Sequence, residues 1–281
     1  MVVRARWALA GAAGCVVLLA ATWFAAFHLG IFGDADQSTY QGFVDLHRHG
    51  AVETVTGPFV WLCDPHTYVI WAPLVVLVAL LRKRPWTAFG VGAILLGANV
   101  TTQILKPMLA EPRPAALLGG SSPLPAASWP SGHSTAAMAA VLCLMLASPA
   151  RLRPFVAAVG AAFAIAVGYS VLAAGTHLPS DVFGGYLVAT TWALVIVASL
   201  WAAERHRPSG ASVDRVSIRA AIAPQGAVLV AAVVLVGIAA LSRPHDVLAY
   251  VADHKQLVAV AAAIATLSVS LSTGLMLGLR R

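Results

Sequence analysis

The sequence predicts an all-α integral membrane protein with about eight transmembrane helices, and composition is the first reason. Of the 281 residues, 59% are hydrophobic and 10% are charged, whereas a soluble domain carries about 25% charged residues. The hydrophobic residues form long runs, and a helix needs about 20 apolar residues to cross a bilayer. The three cysteines show no paired spacing, which predicts neither a disulfide framework nor a zinc site.

Eight apolar segments define the predicted helices. The first segment follows a basic start and is longer than the core of a typical signal peptide, so we interpret it as a retained helix. The longest basic polar stretch, residues 204–219, separates the last two segments from the others. The segments cover residues 7–30, 67–81, 86–105, 133–150, 155–175, 182–203, 220–242 and 257–279.

The distribution of Lys and Arg predicts the orientation in the membrane. If every segment spans once, 13 of the 18 basic residues fall in loops on one side. Because loops rich in basic residues stay in the cytoplasm, both termini are predicted to be cytoplasmic. The protein is predicted to lie in an inner membrane. Topology then explains the net charge of +7, and we expect no nucleic-acid partner. The five exceptions are Arg48, Lys106, Arg113, Arg243 and Lys255.

Three polar clusters fall at helix ends on the opposite, outer side. The first is Lys106 and Arg113, on a segment that Pro107 and Pro112 prevent from continuing as a helix. Two cations on a stiff turn could bind phosphate oxygens, with Arg as a planar fork and Lys as a point charge. The alternative is ordinary anchoring at the membrane interface.

The second cluster is "PSGH" at 130–133, which opens the fourth predicted helix. Ser131 suits a helix cap, and Gly132 lets a ligand approach the backbone. The free N–H groups of a first helical turn form an anion site, beside which His133 would stand. The alternative is a simple capped helix start with a solvated histidine.

The third cluster is His177 and Asp181, at the start of the sixth predicted helix. Four residues apart, their side chains could lie on one side of that turn. A carboxylate on one ring nitrogen fixes the tautomer and leaves the other nitrogen free to attack. A purely structural pair is the alternative.

Together, and in this order, the clusters resemble the motifs of the type 2 phosphatidic acid phosphatase (PAP2) superfamily of membrane lipid phosphatases. The resemblance covers roughly residues 1–203. It implies a six-helix core in which His177 is the nucleophile, Asp181 orients it and His133 protonates the leaving oxygen. It also implies that the enzyme needs no metal or other cofactor. The implied phosphate ligands are Lys106, Arg113, Ser131 and Gly132.

Val171 is a departure from that pattern, which has an arginine six residues before the nucleophilic histidine. Losing one charge-assisted bond of about 1.5–3 kcal/mol should slow turnover without abolishing it. Three explanations stay open: Arg48 or Arg243 substitutes for the arginine, the site suits a different phosphate ester or diphosphate, or catalysis has been lost.

The function predicted is hydrolysis of a lipid phosphate or diphosphate, of the polyprenyl, phosphatidic acid or phosphatidylglycerophosphate type, at the outer membrane surface. The alternatives are a phosphotransferase that uses the same histidine, and a catalytically impaired lipid-binding or transport protein. Both the lipid substrate and the bilayer are expected partners.

The remaining segments receive less specific predictions. We divide the chain into a catalytic core at 1–203, a cytoplasmic loop at 204–219 and a two-helix extension at 220–281. The extension could brace the core, form a lipid groove or mediate homo-oligomer contacts. The segment 38–62 is interpreted as interfacial, with Tyr40, Phe43, Phe59 and Trp61 directed toward lipid.

Overall fold

The computed structural model describes residues 2–47, 50–111, 124–204, 217–242 and 244–280. Within these ranges the regular secondary structure is all helical, and it includes a short 3-10 helix at Ala150–Leu152. The α-helices are α1 (Val2–His28), α2 (Gly30–His47), α3 (Gly50–Cys63), α4 (Pro65–Leu81), α5 (Pro85–Met108), α6 (Gly132–Ala147), α7 (Arg153–Ala173), α8 (Pro179–Ala203), α9 (Ile218–Ser242), α10 (Pro244–Asp253) and α11 (Lys255–Gly278).

The predicted fold class, an all-α multi-pass membrane protein, is confirmed. Each of the eight apolar segments corresponds to one helix, namely α1, α4 to α9 and α11. The count of eight spans is not confirmed. In the described part of the chain, α1, α5, α7, α8 and α11 are long and apolar enough to cross a membrane, and α3 with α4 gives a sixth span if counted together.

Helices α3 and α4 form a broken span, bent by 61° at Asp64. Pro65 is the first residue of α4, where its missing N–H costs nothing. A proline also disfavours the helical conformation for the residue before it, and Asp64 is extended, with φ −61° and ψ 148°. The break therefore exposes the side chain of Asp64 at one end of the bundle.

Helix α6 is the centre of the bundle, packed against α5, α7 and α8. Of its 16 residues, 13 are buried, so it makes little contact with lipid. At 1.5 Å per residue it is about 24 Å long, shorter than the roughly 30 Å hydrocarbon core. A helix enclosed by others does not need that full length.

The ends of α6 and α8 approach each other closely because α8 has glycine at the contact. A Cβ atom on Gly185 would lie 2.7 Å from the backbone oxygen of Ser131, so no larger residue fits there without movement. The N–H of Ser131 donates to the backbone oxygen of Asp181 at 2.9 Å. This contact joins the second and third predicted clusters.

The interfacial interpretation of residues 38–62 is wrong for its first half, which belongs to α2. Tyr40 and Phe43 are buried, at 3% and 7% exposure. The Tyr40 hydroxyl donates to the backbone oxygen of Gly175 at 3.1 Å, and Phe43 packs on Tyr169. Trp61, on α3, is exposed as expected. The aromatic residues of α2 were misassigned because their pattern does not distinguish lipid from a neighbouring helix.

Helix α11 packs directly on the core, mainly against α7 and α2. Ile264 is fully buried, the Ser268 hydroxyl donates to the oxygen of Ala161 at 3.1 Å, and that of Tyr169 donates to the oxygen of Ala261 at 2.7 Å. This packing is what a bracing helix would make. The domain boundaries at 203 and 220 stay a prediction, and most of the basic loop lies outside the described residues.

Candidate active site

His177 is delivered to the site by the turn between α7 and α8. Helix α7 ends with Gly175 in the left-handed region at φ +69°, where glycine avoids a Cβ penalty. The N–H groups of Gly175 and Thr176 close the helix by donating to the oxygens of Leu172 and Val171, at 3.0 and 3.2 Å. Pro179, two residues after His177, opens α8. The sharp turn therefore holds His177 just before a helix start.

Asp181 fixes the ring of His177. Its Oδ2 lies 3.1 Å from His177 Nδ1 and also accepts the N–H of Leu178 at 3.0 Å. His177 is 6% exposed and Asp181 is fully buried. With Nδ1–H donated to the carboxylate, the neutral ring has its lone pair on Nε2. That is the arrangement expected for a nucleophilic histidine.

His133, in the first turn of α6, faces this pair. Its ring centroid lies 6.1 Å from that of His177, and the two rings are close to perpendicular, at 67°. A phosphorus atom between two such rings could be attacked from one side and lose its leaving group on the other. From the sequence, the proximity of His133 and His177 could be predicted only from the order of the motifs.

Asp64 is a carboxylate at the site that the motifs did not identify. Its Oδ1 lies 2.8 Å from His133 Nε2, across 69 residues of sequence. The signal in the sequence is weak: an Asp-Pro pair ahead of an apolar helix reads as a helix cap. Its pairing with His133 depends on the break between α3 and α4.

Lys106 and Gly132 meet at the mouth of the site. The Nζ atom of Lys106 lies 3.9 Å from the position that a Cβ of Gly132 would occupy. The first-turn N–H groups of an α-helix have no intrahelical carbonyl to reach. The Ser131 hydroxyl accepts a hydrogen bond from the backbone N–H of Ser134 at 3.3 Å, which leaves the N–H groups of Gly132 and His133 for an anion. A cation and two N–H groups then point at one place.

The predicted site residues therefore assemble, as far as the structure describes them. His177, Asp181, His133, Ser131, Gly132 and Lys106 converge at one end of the bundle. Arg113 lies outside the described residues, as do Arg48 and Arg243, which were considered as substitutes for the missing arginine. In the described part of the chain, no group of three His, Cys, Asp or Glu side chains could hold a metal ion.

Val171 is part of the hydrophobic core. Its side chain is fully buried among the packed residues of α6, α7 and α8, and its backbone oxygen also accepts the Thr176 hydroxyl at 3.1 Å. The position lies in the last turn of α7, just before the histidine loop, and is fully buried.

Fold and site together define a multi-span membrane protein with two histidines and a lysine gathered at helix ends. Residues 87–205 match the PAP2 superfamily, a range that includes every predicted site residue. The predicted resemblance to the PAP2 membrane lipid phosphatases is confirmed, and it supports a phosphatase.

Two known proteins resemble this chain more particularly. It is 25% identical to an undecaprenyl-diphosphatase of Sulfolobus acidocaldarius, over 149 residues that cover 52% of this chain and 70% of that protein. Its fold matches the crystal structure of a PAP2-type phosphatidylglycerophosphate phosphatase from Bacillus subtilis, with a TM-score of 0.57 and 18% identity. That match covers 70% of this chain and 98% of the other. At 18% identity, the likeness to the Bacillus subtilis structure shows the fold alone.

Proposed function

We propose that the protein hydrolyses a phosphate or diphosphate monoester on a membrane lipid, through a phosphohistidine on His177. The observation that carries this proposal is the buried His177–Asp181 pair, whose 3.1 Å contact leaves Nε2 free and directed to a site shared with His133. A desolvated imidazole with a fixed tautomer is a competent nucleophile.

The first step transfers the phosphoryl group to the enzyme. The Nε2 lone pair of His177 attacks phosphorus, and the bond from phosphorus to the lipid oxygen breaks. The departing oxygen takes a proton from His133, and Asp181 stabilises the positive charge that develops on the His177 ring. The products of this step are phosphohistidine and the free lipid alcohol, or the lipid monophosphate from a diphosphate.

The second step releases inorganic phosphate. Water attacks the phosphohistidine and gives a proton to His133, which is now neutral and acts as the base. The bond from phosphorus to Nε2 breaks, and both histidines return to their starting states. Using one group as acid and then as base follows from the reversal of the leaving and attacking oxygens.

The chain itself supplies groups to balance the phosphoryl charge. Lys106 and the free N–H groups of α6 act where negative charge develops, in a site partly closed to water. The Nζ atom of Lys106 lies 3.9 Å from the position that a Cβ of Gly132 would occupy, which puts the cation beside those N–H groups. The resemblance adds Arg113 as a further phosphate ligand. We therefore propose that turnover needs no metal.

The position of the site suits a lipid substrate. The catalytic groups lie at helix ends, so a headgroup can reach them while its hydrocarbon chain stays in the bilayer. An apolar groove of about 540 Å³ lies between α4, α6 and α7, and its lining includes Leu62, two residues from Asp64. The names of the two similar proteins suggest polyprenyl and glycerophospholipid phosphates as candidate substrates. The charge distribution favours an inner membrane, with the site on the extracytoplasmic side and both termini in the cytoplasm.

Phosphate release from purified protein tests this proposal. Detergent-solubilised enzyme is given undecaprenyl diphosphate, phosphatidic acid and phosphatidylglycerophosphate, each with a chelator present. We expect turnover of at least one substrate by the wild type and none above background by His177→Ala. Absence of release from all three would contradict the proposal. Phosphate that appears on an added alcohol instead of in solution would favour the phosphotransferase.

A further inference from the structure

Asp64 occupies a helix-capping position without capping its helix. It is the residue immediately before α4, where an aspartate normally accepts a hydrogen bond from the N–H groups of the first turn. Its side chain makes no such bond. The carboxylate instead reaches across to α6 and contacts His133 Nε2 at 2.8 Å. Asp64 therefore does not stabilise the start of α4 as a cap would, and it contacts the proposed general acid, His133, instead.

The two histidines of the site each have a carboxylate, on different ring nitrogens. Asp181 contacts Nδ1 of His177, whereas Asp64 contacts Nε2 of His133. If Nε2–H of His133 is donated to Asp64, the nitrogen left to serve a substrate is Nδ1. A general acid also has to be protonated before the step, and an adjacent carboxylate favours the charged ring.

The electrostatic surroundings of His133 make that carboxylate necessary. Burial of the ring is the largest effect and lowers the pKa of His133, and the nearby Lys106 lowers it further, whereas the contact with Asp64 raises it. Asp64 is the described carboxylate in contact with the ring. The Asp64 side chain is 39% exposed, so water screens part of its effect.

We infer that Asp64 is a positioning residue for the general acid: it favours the protonated form of His133 and presents Nδ1–H to the leaving oxygen. This inference rests on the proposed function. It predicts that Asp64 matters most when the leaving group is poor, since a good leaving group departs without a proton. It also predicts an effect on the alkaline side of the pH profile, where the acid loses its proton.

The test compares Asp64→Asn with wild type on two esters in the same detergent. One is a long-chain alkyl phosphate, with a poor leaving group, and the other is 4-nitrophenyl phosphate, with a good one. We expect kcat on the alkyl ester to fall by about 10- to 100-fold, because Asp64 supplies only part of a general-acid contribution of about 10²- to 10⁴-fold. The rate on the aryl ester should change several-fold less. The alkaline limb should move to lower pH, because without the carboxylate the ring loses its proton at lower pH.

Two controls separate positioning from structural damage. Asp34→Asn removes an exposed carboxylate on α2 and should leave both rates unchanged. In a His133→Ala background, Asp64→Asn should cost nothing further, because two residues that act as a unit are not additive.

Each other outcome has a definite meaning. Equal losses on both esters, or a further loss in the His133→Ala background, would overturn the positioning role. A faster Asp64→Asn enzyme would mean that Asp64 blocks His133 instead of preparing it. If wild type releases no more phosphate than His177→Ala on either ester, the proposed function itself fails and the inference falls with it.

Discussion

The carboxylate of Asp36 holds the start of α8 by accepting two hydrogen bonds from Ser180. Oδ1 accepts the backbone N–H at 2.7 Å and Oδ2 accepts the hydroxyl at 2.6 Å. Both residues are buried, although 144 residues separate them in sequence. Because Ser180 lies between His177 and Asp181, this contact ties α2 to the proposed catalytic pair.

Asp36→Ala should therefore destabilise the protein and slow it on all substrates alike. Each buried donor left without a partner costs about 1–3 kcal/mol, and the loosened turn carries His177. Thermal unfolding in detergent and phosphate release measure the two effects. Asp34→Ala, on the exposed face of α2, is the matched control. An unchanged unfolding midpoint in Asp36→Ala would show that the contact does not support the site.

Gly132→Ala should separate binding of phosphate from folding. A Cβ there would lie 3.8 Å from Gln103 Nε2 and 3.9 Å from Lys106 Nζ, which are ordinary contacts. Stability should stay within about 0.5 kcal/mol of wild type. The methyl group would stand where a phosphate oxygen approaches Lys106, so activity should fall by about tenfold or more, the worth of one charge-assisted bond.

Gly185→Ala is the contrasting variant for the same pair of helices. Its Cβ would lie 2.7 Å from the backbone oxygen of Ser131, which cannot move aside easily. This variant should lose stability as well as activity, as judged by its unfolding midpoint. Full activity in Gly132→Ala would remove Gly132 from the phosphate site.

The sequence predicted those features of the molecule that depend on local pattern. Apolar runs predicted eight of the eleven α-helices that the structure describes, and a spacing of four residues predicted the contact between His177 and Asp181. Asp64 and Asp36 were not identified from the sequence because their partners are 69 and 144 residues away. No local pattern distinguishes either residue from a helix cap. Residues 38–47 of α2 were interpreted as part of an interfacial segment because aromatic residues suit lipid and protein contacts equally.

Val171→Arg should lower both stability and activity. The side chain of Val171 is fully buried in the core, and a charge placed there without a partner costs several kcal/mol. Val171→Leu, a smaller change of volume without charge, is the control. Unfolding midpoints and release from a lipid monophosphate are the measurements. Higher activity in Val171→Arg would instead mean that the arginine reaches the phosphate and that this protein lacks one ligand.

Cysteine labelling in intact cells tests the proposed orientation. The three native cysteines are buried, so background labelling should be low. Asp34, near the site, and Arg151, beyond the far end of α6, are both exposed. An impermeant maleimide should label Asp34→Cys directly and Arg151→Cys only after the membrane is opened. The reverse pattern would put the site in the cytoplasm.

Trapping of the phosphoenzyme tests whether His177 carries the phosphoryl group. Wild-type protein is mixed with lipid phosphate labelled with ³²P at its phosphorus and quenched in alkali within one turnover, since phosphohistidine survives alkali and is lost in acid. We expect label on the peptide that contains His177, its loss in acid, and no label in His177→Ala. Turnover by the wild type with no labelled protein at any quench time, or turnover that persists in His177→Ala, would contradict the mechanism.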